Sequence, residues 1–444
     1  MRASTLFVLL FPALLQPQSP EVKSLTLDNG LKVLIQEDHN IPNVAMYLFF
    51  RVGSRNERPG ITGISHFFEH MMFNGAKKYG PKQFDIEMEK NGGRNNAFTT
   101  RDITVFTDFF PSAVLPLMLE MESDRVQSLA LDPKMVESER EVVSSERRQS
   151  VEDSPIGTLA EQLNAAAFTA HPYGWPIIGW ASDIKAWTRD DLAQHFRMGY
   201  APNNCVIVIV GDIKGSAVEK LVKEHFGSIP AQPPPPPIRT AEPEQEGERR
   251  VIVEKPAQVP VQMYSFPSPA TLDPDTQALQ LLGTILSTGH SSRLYQRLID
   301  RDRFAVSATF ALDPSLDPGQ IIFTVQPRAG VSVAQAEKAF FEELEGIRLR
   351  KVTNGELRKA KNQMLTSLYR DLKTISDRAY LLGQYEIYLG DYRRLFTAAK
   401  ELEAVTAADV QRVAAKYLAA NKRTVATLVP TPAPAAATTA TGAN

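Results

Sequence analysis

Five consecutive prolines at positions 233–237 interrupt the chain close to its midpoint. Proline fixes φ and has no backbone N–H, so neither a helix nor a sheet ladder runs through such a stretch, and a stiff polyproline II spacer is favoured. Residues 229–245 therefore read as a linker between two halves, 21–228 and 246–428. At 444 residues the chain is too long for one ordinary core, which agrees with that division. Its 43% hydrophobic and 23% charged residues are those of a globular protein, not a disordered or fibrous one.

The ends differ from the middle. Arg2 precedes a ten-residue apolar run over 6–15, far short of the roughly 20 residues that a membrane span needs. A polar, proline-containing QPQSP follows, which is the layout of a secretory signal peptide over 1–20. The expected location is therefore exported and periplasmic, with no membrane span in the mature chain. The small-x-small cleavage pattern is poor, so an uncleaved anchor is the alternative. Residues 429–444 (VPTPAPAAATTATGAN) have the composition of a disordered tail. Lys+Arg 49 against Asp+Glu 51 gives a net charge of −2, so no basic face for nucleic acid is implied.

Between these ends the hydrophobic period alternates between 2 and 3.6. In the first half, strands are expected over 31–37, 44–52 and 205–210, and a hairpin over 94–110. Helices are expected over 64–73, 82–91, 112–127, 133–149, 155–168 and 216–226. The second half has strands near 249–254, 261–266, 306–311 and 320–326. Its helices fall near 274–287, 291–300, 332–348, 354–372 and 375–389, and a helix–strand pair over 406–428 closes it. Strands in runs and helices in runs predict an α+β fold. Two related α/β-sandwich halves result, each a mainly antiparallel sheet packed with helices.

The single cysteine, Cys205, excludes an intramolecular disulfide framework and any Cys-based zinc cluster, so a metal site must use His and carboxylates. Residues 63–75, GISHFFEHMMFNG, offer one. His66 and His70 are four apart with Glu69 between them, giving H-x-x-E-H. On a helix, positions i and i+4 lie about 40° apart around the axis, so both imidazoles point the same way and can chelate Zn²⁺. Glu69, three residues after His66, shares that face, where its carboxylate can reach an activated water. With seven His and 51 acidic residues the motif arises by chance about 0.01 times per chain. A catalytic zinc needs a third protein ligand and an open position. Helix 133–149 supplies candidates: Glu139 and Glu146 are two turns apart on one face, with Val142 and Val143 expected to pack beside them. One can ligate while the other orients a ligand or the water.

These residues resemble the insulinase/pitrilysin family, whose inverted zinc motif is H-x-x-E-H. The half-length bacterial members, similar to mitochondrial processing peptidase, are the nearest in pattern. The family places its third ligand about 75 residues beyond the second His, in a segment like E-R-x-V-V-x-x-E. Here residues 139–146 read EREVVSSE, and Glu146 lies 76 residues beyond His70. The resemblance thus implies one Zn²⁺ per chain on His66, His70 and Glu146, with Glu69 as catalytic base and Glu139 as a supporting acidic residue. It also implies that Asn96, Ala97, Phe98 and Thr99 form an edge strand that pairs with an extended peptide substrate. His171 is read as a packing or capping residue, and Cys205 as a buried small hydrophobe.

One departure stands out. The family's peptidases carry an Arg and a Tyr seven residues apart in the C-terminal domain, where they help bind the substrate backbone and the developing oxyanion. The matching positions here hold Ile299 and Val306, whose side chains donate no hydrogen bond. The expectation is therefore a zinc endopeptidase subunit that supplies half of a composite site. A homologous non-zinc subunit carrying the Arg/Tyr pair would complete it as a heterodimer. A homodimeric peptidase and a non-catalytic assembly subunit are the alternatives.

Overall fold

The structure, a computed structural model, describes residues 21–432. The expected signal segment and the tail beyond residue 432 lie outside them. The first half builds a six-stranded sheet from β1 (Lys23–Thr26), β2 (Lys32–Glu37), β3 (Asn43–Phe50), β4 (Arg94–Thr99), β5 (Thr104–Pro111) and β6 (Cys205–Gly211). Their order is β1-β2-β6-β3-β5-β4. Its helices are α1 (Ile64–Met71), α2 (Gln83–Lys90), α3 (Leu115–Ser128), α4 (Pro133–Arg147), α5 (Pro155–Ala167), α6 (Ala181–Ala186), α7 (Arg189–Gly199) and α8 (Gly215–Phe226). The second half has a five-stranded sheet, β7-β11-β8-β10-β9, from β7 (Arg249–Pro256), β8 (Val261–Pro267), β9 (Ala305–Leu312), β10 (Gln320–Pro327) and β11 (Thr424–Thr431). Helices α9 (Asp275–Ser287), α10 (Val333–Leu349), α11 (Asn354–Asp371), α12 (Ile375–Leu389), α13 (Ala398–Ala404) and α14 (Ala407–Tyr417) complete it.

The two sheets share one pairing logic. β2 runs parallel to β6, and β6-β3-β5-β4 continue antiparallel. Likewise β7 runs parallel to β11, and β11-β8-β10-β9 continue antiparallel. The α+β class with two related, mainly antiparallel halves is therefore the architecture of the chain. β6 (CVIVIVG) is buried throughout, as expected of a β-branched run placed centrally.

Each sheet needs cover on both faces, and the halves exchange helices to provide it. One face of the first sheet packs on α1, α3 and α8 of its own half, around Phe50, Phe68, Phe106, Leu119 and Val222. Its other face, with Leu34, Phe49, Val206 and Val208, packs on Ile375, Ala379 and Leu382 of α12 from the second half. Reciprocally, Leu159 and Leu163 of α5 from the first half cover Val261, Met263 and Leu428 of the second sheet. Gly383 makes the α12 contact possible, because a Cβ there would lie 2.1 Å from the Phe49 ring. The linker separates the sheets in sequence but not in packing. Residues 230–248 form neither helix nor strand, and they touch both halves: Glu242 accepts the backbone N–H groups of Thr169, Ala170 and His171 at 2.8–2.9 Å, and Gln245 donates to the Arg423 carbonyl at 2.7 Å.

Three local expectations are corrected. The tail was expected from residue 429, but 429–431 continue β11, because their backbone pairs with Glu254, Lys255 and Pro256 of β7. The helix expected over 291–300 is one wide π-type turn over Tyr295–Arg301. There the Phe304 N–H returns to the Leu298 carbonyl and the chain feeds directly into β9. Val142, expected to pack, is 47% exposed, whereas Val143 is fully buried. Among the described residues no helix is long and apolar enough to cross a membrane.

Candidate active site

The helix that carries the motif is held from behind. α1 starts at Gly63, in the left-handed region, so its N-cap offers no side chain for the free N–H groups of the first turn. Buried Glu57 takes that role, accepting Gly63 N–H at 2.7 Å and Ser65 N–H at 2.8 Å. Burial pushes the Glu57 carboxyl up to about 8, against these two N–H groups, which favour the ionised form. Gly63 and Gly179 meet back to back: a Cβ on either would lie 2.3 Å from a carbonyl oxygen of the other segment. Phe67, Phe68 and Met71 fill the core beneath, and the Ser65 hydroxyl lies 3.0 Å from Nε2 of buried His195. Burial brings that imidazole down to about 3, so it stays neutral.

The outward face of α1 presents His66, Glu69 and His70. α4 crosses it, started by Asp132, whose carboxylate accepts Lys134 N–H and Met135 N–H, with Pro133 in the first turn. Arg140 and Arg147 fix α4 in place by donating to the Trp187 and Gly179 carbonyls at 3.0 and 2.7 Å. This brings Glu146 to 3.7 Å from His66 Nε2 and 3.4 Å from His70 Nε2. Ligand atoms of His66, His70 and Glu146 all lie within 4.8 Å of one another. Tetrahedral zinc with bonds of about 2.0–2.1 Å places its ligands about 3.4 Å apart, so this set fits the ion with little movement. Side-chain exposure rises from 12% at His66 through 23% at His70 to 43% at Glu146, so the cluster is open to solvent on its Glu146 side.

Glu139 stands behind His70, its Oε1 2.7 Å from Nδ1, and its Oε2 accepts from Asn74 at 2.8 Å. That contact leaves Nε2 as the nitrogen of His70 that would ligate a metal. His66 Nδ1 is buried without a protein partner. The electrostatics of the pair follow. Burial, reinforced by the charge of His70, takes His66 down to about 4. Burial also opposes protonation of His70, but its hydrogen bonds to Glu139 and Glu146 outweigh it and raise the imidazole to about 9. The same bonds to His70 lower Glu139 and Glu146.

Glu69 is raised by burial, opposed by a 2.7 Å hydrogen bond donated by the Thr99 hydroxyl. Asn96, Ala97, Phe98 and Thr99 lie on β4, the edge strand next to β5, with the opposite edge of β4 unpaired among the described residues. Their side chains divide. Ala97 packs into the core beneath α1 and Thr99 reaches Glu69, while Phe98 packs edge-on to Tyr380 of α12 at 6.0 Å. In the second half, Ile299 packs on its own core and Val306 is 48% exposed on β9. Arg297 is engaged by Asp302 and Glu342, and Tyr295 stacks on His290 at 4.5 Å. His171 caps a short turn through Tyr173 N–H. Cys205 is buried. Glu57 and the contact of Asn74 with Glu139 escaped the sequence reading; an acidic residue in an irregular segment six residues ahead of a helix carries no periodic signal.

The pattern described as Insulinase (Peptidase family M16) matches residues 32–180, and that described as Peptidase M16 inactive domain matches residues 186–364. A Helicobacter pylori protein named zinc protease PqqE is 32% identical over 428 residues, covering 94% of each chain. The crystal structure of a protease from Helicobacter pylori superimposes with a TM-score of 0.89 at 30% identity, covering 93% of this chain and 100% of that one. The periplasmic protease PqqL from Escherichia coli shares the fold at a TM-score of 0.77 and 21% identity, and the match covers 94% of this chain but 48% of that one.

Proposed function

This chain belongs to the insulinase (M16) peptidase family, and from that premise we propose that it is a zinc-dependent endopeptidase that hydrolyses extended peptides. The observation that carries the proposal is the convergence of His66, His70 and Glu146 within 4.8 Å, with Glu69 on the same helical face. Bound there, one zinc ion per chain supplies a Lewis acid that activates water and polarises the scissile carbonyl. Glu69, tethered at Oε2, keeps Oε1 free to take the proton of the attacking water and pass it to the leaving amine. The unpaired edge of β4 offers backbone groups to an extended peptide, which gives affinity with little demand on sequence.

The site is incomplete on the side of the oxyanion. Ile299 and Val306 donate nothing, and missing oxyanion donors typically cost 10²–10³ in rate. We therefore assign the chain as the zinc-bearing subunit of a heterodimer, whose homologous partner lacks zinc and supplies the Arg/Tyr pair. The chain spans only 48% of PqqL, so one copy of this fold makes up half of that protease. A homodimer is the rival assembly. The N-terminal layout of Arg2 and the apolar run supports export to the periplasm.

The test is direct. Purified protein should hold one zinc per chain by elemental analysis and cleave quenched-fluorescence peptides, with full rate only in the presence of its partner. Glu69→Gln should retain the zinc and lose hydrolysis. Cleavage by that variant at the wild-type rate would overturn the assignment of the base, and full activity of the isolated chain as a monomer would overturn the composite site.

A further inference from the structure

Thr99 was expected to serve the substrate through its strand, but its side chain serves another residue. Along β4, Asn95, Ala97 and Thr99 face the helices: Asn95 bonds Asp85 of α2 at 2.8 Å, Ala97 packs in the first core, and the Thr99 hydroxyl donates to Glu69 at 2.7 Å. A peptide laid on the free edge of β4 meets the backbone of Thr99, not its hydroxyl.

The hairpin turn next to Thr99 is firmly anchored. Thr99 pairs with Thr104 across the hairpin, and the intervening turn is closed by Thr100 N–H to the Ile103 carbonyl at 2.8 Å. The Thr100 hydroxyl accepts Asp102 N–H and Ile103 N–H, both at 3.1 Å. Buried Asp102 then bolts the turn to both halves, accepting from Tyr173 at 2.6 Å, Arg55 at 3.2 Å and Leu316 N–H at 3.2 Å. A glutamate side chain, by contrast, has three rotatable bonds and no fixed direction of its own.

We propose that Thr99 is a positioning residue for Glu69: its hydroxyl holds one carboxylate oxygen, turns the other toward the reacting water, and ties the base to the strand that receives the peptide. The proposal rests on the peptidase reading of the site, so its test reads binding as well as turnover. The probe is a short peptide hydroxamate, whose acid group engages both a zinc ion and a neighbouring carboxylate. Its affinity is measured on the zinc-loaded chain, with the partner where one co-purifies. Thr99→Val should weaken the hydroxamate about tenfold, the usual scale for a lost hydrogen bond to a charged group. It should lower kcat with KM and zinc content unchanged, and Thr99→Ser should restore both readouts. In a Glu69→Ala background, Thr99→Val should add nothing, because the group it positions is gone.

The opposite pattern overturns the proposal. An undiminished effect of Thr99→Val on hydroxamate binding in the Glu69→Ala background, or a raised KM with kcat unchanged, would place Thr99 with the substrate strand alone. Stoichiometric zinc without coupling between Thr99 and Glu69 defeats this inference and leaves the peptidase reading standing. Failure to hold zinc defeats both.

Discussion

Removing Glu139 tests how the proposed zinc ligands are tuned, and the expected size depends on pH in a definite direction. Glu139 Oε1 lies 2.7 Å from His70 Nδ1, and its other oxygen is held by Asn74. When His70 ligates through Nε2, that carboxylate orients the ring and strengthens the ligand. Outer-shell partners of this kind are worth about 10–100-fold in metal affinity. Glu139→Gln keeps an acceptor for Nδ1–H and should fall near the lower end, while Glu139→Ala strands that proton donor and should fall near the upper end. The same carboxylate opposes zinc in another way, because with Glu146 it raises His70 to about 9. At pH 7 a group with that pKa is unprotonated only about one part in a hundred, so zinc must first expel a proton. Removing Glu139 weakens the ligand and relieves the proton competition at once. The two effects partly cancel at pH 7 and separate near pH 9, where competition fades.

The assay is a zinc titration in a chelator-buffered series from pH 6.5 to 10, with calorimetry in buffers of different ionisation enthalpy to count released protons. The ratio of variant to wild-type Kd should grow with pH, and the wild type should release about one more proton at pH 7 than at pH 10 on account of His70. A ratio that stays flat from pH 7 to 9 would refute the coupling. An unchanged Kd for Glu139→Ala would refute the supporting role altogether.

Two further outcomes follow from the framework around the site. Burial raises the Glu57 carboxyl to about 8, and the folded state therefore binds its proton more tightly than the unfolded chain does. The corresponding stability is full below pH 4.5 and is lost as pH rises toward 8, by up to about 1.4 kcal/mol per unit. Relative to Glu57→Gln, the wild type should thus lose stability across that window in urea unfolding at fixed zinc, then run level above it; parallel profiles would show that the backbone N–H groups keep Glu57 ionised. At the exchanged helix, Gly383→Ala should cost about 1–3 kcal/mol by forcing a Cβ into the Phe49 ring, and a smaller residue at 49 should recover part of it. Full additivity of the two substitutions in a double-mutant cycle would mean that the contact is not the cause.

What could be read from the sequence was what repeats along an element. The spacing of His66, Glu69 and His70 needs only a helix to align it, and the seven-residue spacing of Glu139 and Glu146 needs only another. The all-apolar run at 205–210 announced a central strand. Contacts made by irregular segments left no such trace. Glu57 caps α1 from a loop, and Asp102 reaches Leu316, more than 200 residues away, so neither shows as a period. The side-chain alternation of β4 was available in principle, since residues 95, 97 and 99 must share a face. Which face met Glu69 depended on how α1 lies over the sheet. The wide turn at 295–301 was beyond a period count for a related reason, because its end is set by a tertiary return into β9.

The exchange of α5 and α12 changes what a second half without the Arg/Tyr pair is for. Periodicity marks both helices as amphipathic, but it does not say which sheet each one covers. Without α12, the first sheet would expose the face that carries Leu34, Phe49, Val206 and Val208, all fully buried in the whole chain. At about 25 cal/mol per Å² of apolar surface, such a face is too large to leave to water in a stable domain. The same second half supplies the Leu316 N–H that holds Asp102, and so steadies the turn behind Thr99. The proposed zinc ligands and base all lie before the linker, yet part of the packing that steadies their sheet comes from beyond it. A second half with Ile299 and Val306 at those positions can therefore still serve the proposed site, by covering the sheet on which it is built.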